Sequence, residues 1–242
     1  MPSASTHSIS VKPAFPHTDV NTLSTRFKAA NFIPTLSTYI HHLVPPPALP
    51  VLPNLIDQFD LYTRVTILQP PNTMGGFPKS VDRVRATPSV PAKGRFKAVP
   101  AHFDTVLIHA GDSNNNQHTK GTCLEGLRVA QLRAIFSLPE HLQHPHLPIQ
   151  LAYIEWFTPF RAPHADSGFF PLTRASQNNG LVAEIIPLDR IVSSCHLMPR
   201  YGTKYHPAKW DSDTVLEECN SFFLNKYISI QTFFDLEQHL HV

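Results

Sequence analysis

Twenty-four of the 242 residues are proline, about twice the usual frequency. Proline has no amide proton to give a helix or an inner strand, and its ring clashes with the preceding helical turn. The chain must therefore be built from short elements with many breaks. The densest run, Pro45-Pro46-Pro47-Ala48-Leu49-Pro50-Val51-Leu52-Pro53, cannot be helix interior and reads as a stiff polyproline-like spacer. Docking by a polyproline-recognising partner is the other use of such a run.

Apolar residues make up 42% and charged residues only 16%, which fits a chain with a buried core and argues against disorder. No run of 18 apolar residues exists, so no transmembrane helix is expected. Residues 1–17 are polar and proline-rich without an apolar core; they read as a disordered leader, not a secretory signal. The three cysteines, Cys123, Cys195 and Cys219, are far apart and odd in number. That usage implies a reducing, intracellular compartment without disulfides.

Thr18-Asp19 can cap a short helix in which Leu23, Phe27 and Ala30 share a face. Pro34 interrupts it or starts a second helix, with Leu36, Tyr39, Ile40 and Leu43 as the apolar face. Beyond the spacer the hydrophobic period becomes two. Phe59, Leu61, Val65 and Ile67 alternate with polar residues, Val81–Ala86 alternates again, and Phe103–Ile108 is a further strand. Leu127–Leu138 admits helix or strand by composition; Val129, Ile135 and Phe136, bounded by Gly126 and Pro139, decide for strand. Leu151–Phe157 is the strongest strand in the chain. Shorter strands follow at Phe169–Leu172, Leu181–Pro187 and Cys195–Met198. A single helical turn is expected at Leu188–Ser193, a brief helix at Asp213–Cys219, and a strand or edge-packing segment within Phe222–Phe234. The expected fold is mainly β: a small antiparallel β-barrel or curled sheet with a short N-terminal helical segment and an irregular C-terminal tail. The expected divisions are a leader (1–17), a helical segment (18–44), the linker (45–55), the β module (56–202) and a C-terminal packing segment (203–242).

Fifteen histidines invite a metal, but no paired Cys/His spacing of the zinc type occurs. Phosphate-loop, dinucleotide and nucleophile-elbow motifs are missing too. Cys195 and His196 are strand neighbours, whose side chains point to opposite faces. Glu155 lies inside the best strand and is expected to pair with an arginine. No catalytic residue, metal or cofactor is assigned. The net charge of +2 is uneven. Residues 1–100 carry a net +6 and residues 101–242 a net −4. Six cations, Lys79, Arg83, Arg85, Lys93, Arg95 and Lys97, fall within nineteen positions and are opposed only by Asp82. Interleaved with Phe96, they suit phosphate contact; the plainer account is a solvated loop. Tyr153, Trp156 and Phe160 can line a pocket for a methylated-lysine ammonium; the plainer account is core.

The segments FDLYTRVTILQPP (Phe59–Pro71), VRATPSVPAKGR (Val84–Arg95), AHFDTVLI (Ala101–Ile108), GLRVAQLRAIFSLP (Gly126–Pro139), LAYIEWFTPF (Leu151–Phe160) and IIPLDRIVSSCHLMPRYG (Ile185–Gly202) resemble a C-terminal module of fungal transposon proteins. The resemblance is to open reading frames of the Plavaka and KDZ transposase type. It implies a non-catalytic module or remnant that associates with DNA or protein in the nucleus, because the catalytic acids of such proteins lie upstream in a nuclease domain. VAQLRAIF, YIEWF and IIPLDRIVSSCHL also resemble bromo-adjacent homology domains, which implies a chromatin-associated β-barrel with a protein partner. Neither resemblance implies a membrane.

Overall fold

Strands outweigh helices because branched and aromatic residues recur at period two between proline and glycine breaks. The computed structural model describes residues 6–46, 49–71, 76–111, 116–178, 180–200, 214–228, 232–233 and 236. Of these, 42% are strand and 16% helix, so the fold is mainly β. In chain order the elements are β1 (Thr6–Ile9), β2 (Phe15–Asp19), α1 (Val20–Arg26), α2 (Phe32–Leu43), β3 (Gln58–Tyr62), β4 (Arg64–Gln69), β5 (Ser80–Thr87) and β6 (His102–Phe103). There follow β7 (Thr105–His109), β8 (Leu127–Ser137), β9 (Gln150–Trp156), β10 (Pro171–Thr173), β11 (Ser176–Gln177), β12 (Gly180–Leu181) and β13 (Ala183–Pro187). Last come β14 (Ile191–Cys195), β15 (Leu197–Pro199), α3 (Val215–Glu218) and β16 (Ser221–Leu224).

The central sheet runs β13-β9-β8-β3-β2, with β7 also on β8 and β14 on β7. Its axis is β8, an eleven-residue strand buried almost throughout. Its first half pairs with β7 and its last residues with β3, while β9 takes most of its length. A second sheet runs β1-β4-β5-β6 and a third β10-β16-β15. Leu127–Leu138 is thus a strand at the centre, as its β-favouring residues require, and Leu151–Phe157 lies beside it.

The edge of β14 meets the second sheet through side chains. Gln69 Nε2 donates to Val192 O at 2.6 Å, His7 Nε2 lies 2.6 Å from Ile191 O, and Asp82 accepts from Ser194 N and Oγ. These contacts occupy backbone groups that a closing ladder would need. The sheets curl but are not closed into a barrel.

Two cores result. In the larger one, Phe32 at the start of α2 lies edge-on to Phe59 and Phe136, each at 4.9 Å between ring centres. Leu23, Phe27, Leu36 and Ile40 bury in the same cluster as β3, β8 and β9, so the helices belong to the β module's own core. Asp19 caps α1, accepting from Thr22 N at 2.7 Å. Pro34 sits in the first turn of α2, where its missing amide proton costs nothing. The smaller core places Phe157 against Phe222, 5.7 Å between ring centres.

The helical turn expected at Leu188–Ser193 covers only Leu188–Arg190, because Ile191 opens β14 and pairs with β7. Four further expectations need correction. The reading of residues 1–17 as a disordered leader does not hold for residues 6–17: β1 pairs with β4 and β2 with β3. Their side chains are largely exposed, so no strong apolar pattern marks them. Ala29, not Ala30, is buried after α1, because Lys28 at φ 60° turns the chain out of helical phase. Leu43 is exposed while Val44 is buried, since α2 ends between them and helical phase no longer applies. Cys195–Met198 is not one strand: the chain breaks at His196 and continues as β15 in another sheet. The brief helix and the late strand are found at α3 and β16. Residues 203–213 of the C-terminal segment lie outside the described residues.

Candidate nucleic-acid interface

The alternation of β5 sorts its charges by face. Val84 and Ala86 are buried, whereas Arg83 and Arg85 are exposed. Asp82 stands on the opposite face from Arg83 and Arg85, its carboxylate engaged by Ser194. The one acid in the basic segment is therefore turned away from the arginines. Pairing with β4 sets Arg64 directly opposite Arg85, and Thr66 opposite Arg83. Like charges opposite one another repel; Asp104 offsets this by a two-bond clamp on Arg85, Nε and Nη2 each at 3.1 Å from a carboxylate oxygen. Arg64 and Arg83 have no acidic partner among the described residues.

Arg64 was missed because it lies well upstream of the basic run. A hairpin pairs positions equidistant from its loop, and applying that rule to the strands at residues 64 and 85 would have found it.

Beyond β5 the chain forms a protruding hairpin in which every residue from 89 to 100 is exposed. Val90 pairs with Val99 and Lys93 with Phe96, through backbone bonds of 2.8–3.1 Å. Gly94 takes φ +59° at the first of the two tip positions, as a type II′ turn requires. Lys93, Arg95 and Lys97 surround the tip, and Phe96 on it is 80% exposed. Arg26 donates to Ser89 O at the base of the hairpin, at 3.2 Å. Lys79 is exposed just before β5. The six cations thus divide into a sheet group and a hairpin group.

Arg83 and Arg85 also line an open cleft of about 710 Å³ shared with Lys28, His102, His196 and Glu217. Through Glu217 and Lys28 the cleft borders a buried ionic network. Arg133 is the extra residue of a bulge in β8, where the β9 register passes from Leu132 straight to Ala134. Its guanidinium donates to Glu155 Oε2 at 2.7 Å and to both oxygens of Glu217, at 2.7 and 3.2 Å. Arg174 lies 3.6 Å from Glu155, and Lys28 lies 3.2 Å from Glu217. Burial alone would raise the Glu217 carboxyl, but the Arg133 hydrogen bonds, with the Arg133, Lys28 and Arg174 charges, hold it at about 2. Glu155 thus has the arginine partner its place in the strand implied.

Tyr153, Trp156 and Phe160 do not make an open aromatic pocket. They are 1%, 4% and 2% exposed, and Phe160 belongs to a different core from the other two. Trp156 is already used: its indole N–H donates to Glu184 at 2.9 Å, and the Arg128 guanidinium lies 4.8 Å from its ring centre. Packing of distant segments over both faces of β9 overrides the cage reading. Burial also pushes the Cys195 thiol up to about 12, so it carries no appreciable thiolate at neutral pH. All three cysteines are free. Among the described residues no three His, Cys, Asp or Glu side chains converge as a metal site. No helix among them is long and apolar enough to cross a membrane.

No protein-family model, curated protein or solved structure matches the chain. The fold and the site define a mainly-β chain whose second sheet carries an exposed basic face and a basic hairpin.

Proposed function

We propose that this chain is a non-catalytic association module that holds nucleic-acid phosphates on the outer face of β4 and β5 and on the hairpin beyond. The observation that carries this reading is the segregation of charge. Among the described residues Arg64 and Arg83 are exposed without acidic partners, while Asp82 and Asp104 are occupied by Ser194 and Arg85. Phosphate contacts from flexible exposed cations neutralise charge without reading sequence. The resemblance to fungal transposon proteins supports DNA as the polymer and the nucleus as the place. In that reading the chain is the part that follows a nuclease domain, and the curled sheets serve as a barrel-like body for the basic face.

Three or four simultaneous contacts give a slope of about −3 to −4 in log K against log salt, and non-specific affinity in the range of roughly 10⁻⁴ to 10⁻⁶ M. Titration of duplex DNA at two salt concentrations measures this. Joint replacement of Arg64, Arg83, Lys93 and Arg95 by alanine should flatten the slope while the thermal midpoint stays within a few degrees. Absence of binding at low salt, or an unchanged slope, removes the reading. A chromatin-reader function through Tyr153, Trp156 and Phe160 has no support in a buried aromatic set.

A further inference from the structure

An exposed phenylalanine at the tip of a basic hairpin is not needed for folding. Phe96 contributes to neither core, and its neighbours from residue 89 to residue 100 are all exposed. Pro91 supplies no amide proton along one strand of the hairpin, and Pro88 and Pro100 flank it. The arm is thereby kept from extending a sheet edge. Within it, Lys93 and Phe96 are directly cross-strand and so share a face, Arg95 stands in the turn, and Lys97 falls on the other face. No acidic residue occurs between positions 83 and 103. A second copy of the same tip would be repelled by its charge.

A partner must offer a flat π-surface with anionic groups on either side of it. An unpaired nucleobase between two phosphates has that chemistry. A paired base inside a duplex does not, because its faces are already stacked. Aromatic side chains in basic surroundings bind single strands in this way, and stacking tolerates any base because each has a π-face.

We propose that Phe96 is a base-stacking residue, and that Lys93, Arg95 and Lys97 grip the flanking phosphates. The hairpin thereby favours single-stranded or unpaired nucleic acid over duplex. This rests on the phosphate-binding reading above and adds the strand state that the site selects.

The test uses the full 242-residue chain, with an oligothymidylate and a duplex each of about 16 nucleotides, a length within one stacking platform's reach. Phe96→Ala should weaken single-strand binding about tenfold, leave duplex binding and the thermal midpoint unchanged, and leave the salt slope alone because no charge is lost. Phe96→Trp should keep the affinity, and its fluorescence should be quenched when the oligothymidylate is added. If Phe96→Ala leaves single-strand binding untouched while the arginine and lysine substitutions still flatten the duplex slope, the stacking role is overturned and the phosphate reading stands. If neither nucleic acid binds, both are overturned. If Phe96→Ala instead abolishes binding to vesicles of phosphatidylserine and phosphatidylcholine without affecting the oligothymidylate, the aromatic tip is a membrane wedge and the inference fails.

Discussion

Arg133 is the largest fully buried side chain among the described residues. It is 2% exposed, carries a charge, and is tolerated because Glu155 and Glu217 meet its guanidinium and the Phe103 ring lies 5.3 Å away. Glu155→Ala leaves Arg133 paired with Glu217 but takes a carboxylate from both Arg133 and Arg174, so it should cost about 1.5–3 kcal/mol in urea denaturation. Replacing Arg133 and Glu155 together by methionine and glutamine should cost much less than the sum of the two single changes, which a double-mutant cycle measures. Glu217 gives the pH dependence. Its folded value of about 2 lies below the ordinary glutamate value of 4.5, so its contribution is complete above pH about 4.5 and is lost as pH falls toward 2. That contribution is at most about 3 kcal/mol. Unfolding free energies between pH 6 and pH 2.5 should show the loss, and in Glu217→Gln this part of the acid dependence should vanish. Cys195 is half-buried and lines the cleft, and desolvation raises its thiol to about 12, so iodoacetamide at pH 8 should modify it much more slowly in the folded chain than in the unfolded one, as peptide mass mapping would show.

At the scale of elements, the bulge in β8 joins fold to network. An uninterrupted ladder would give residue 133 its own partner on β9; the extra residue leaves Arg133 outside the register and aims its side chain at Glu155 and at α3. That matches what bulges do elsewhere, bending the strand and redirecting one side chain. Helix α1 depends on its cap: Asp19→Ala should destabilise the helix by loss of the bond to Thr22 N, read as faster hydrogen exchange in its first turn. Helix α2 depends on its first turn, where Phe32 is wedged among Phe59, Phe136 and Tyr153. Phe32→Ala should cost about 3–5 kcal/mol and lower the thermal midpoint accordingly, measured by circular dichroism. The hairpin beyond β5 is held by only two bridged pairs, so its opening should have little effect on global stability. Hydrogen exchange should show its amides as unprotected while those of β8 are the slowest in the chain.

Over the whole molecule, charge and burial are separated by layer. The central sheet buries Arg133 against Glu155, and the second sheet exposes Arg83 and Arg85 beside a cleft that Ser194 and Cys195 of β14 also line. Side-chain bonds from His7, Gln69 and Asp82 hold the two sheets together where no ladder does. Asp82→Ala should therefore loosen this seam and speed hydrogen exchange in β14 more than in β9, with little loss of global stability because water reaches the exposed Ser194 groups.

What the chain's own sequence determined is local. Proline spacing limited element length, period-two alternation and branched residues made β8 and β9 strands, Asp19 announced a helix start, and the cation run announced an exposed basic segment. Each of these depends on neighbours a few residues away, through backbone sterics and side-chain periodicity. Tertiary structure alone decided who meets whom. Tyr153 and Trp156 became core because distant segments packed over both faces of β9, and Phe160, beyond that strand, because it packed into the smaller core. Residues 6–9 and 15–19 became strands because β4 and β3 offered free edges, which their own polar sequence does not signal. Arg133 found Glu217 across 84 positions, and Arg64 came to stand beside Arg85 through a hairpin register. Such partners are chosen by the joint burial of distant segments, a free energy that no short stretch of sequence contains.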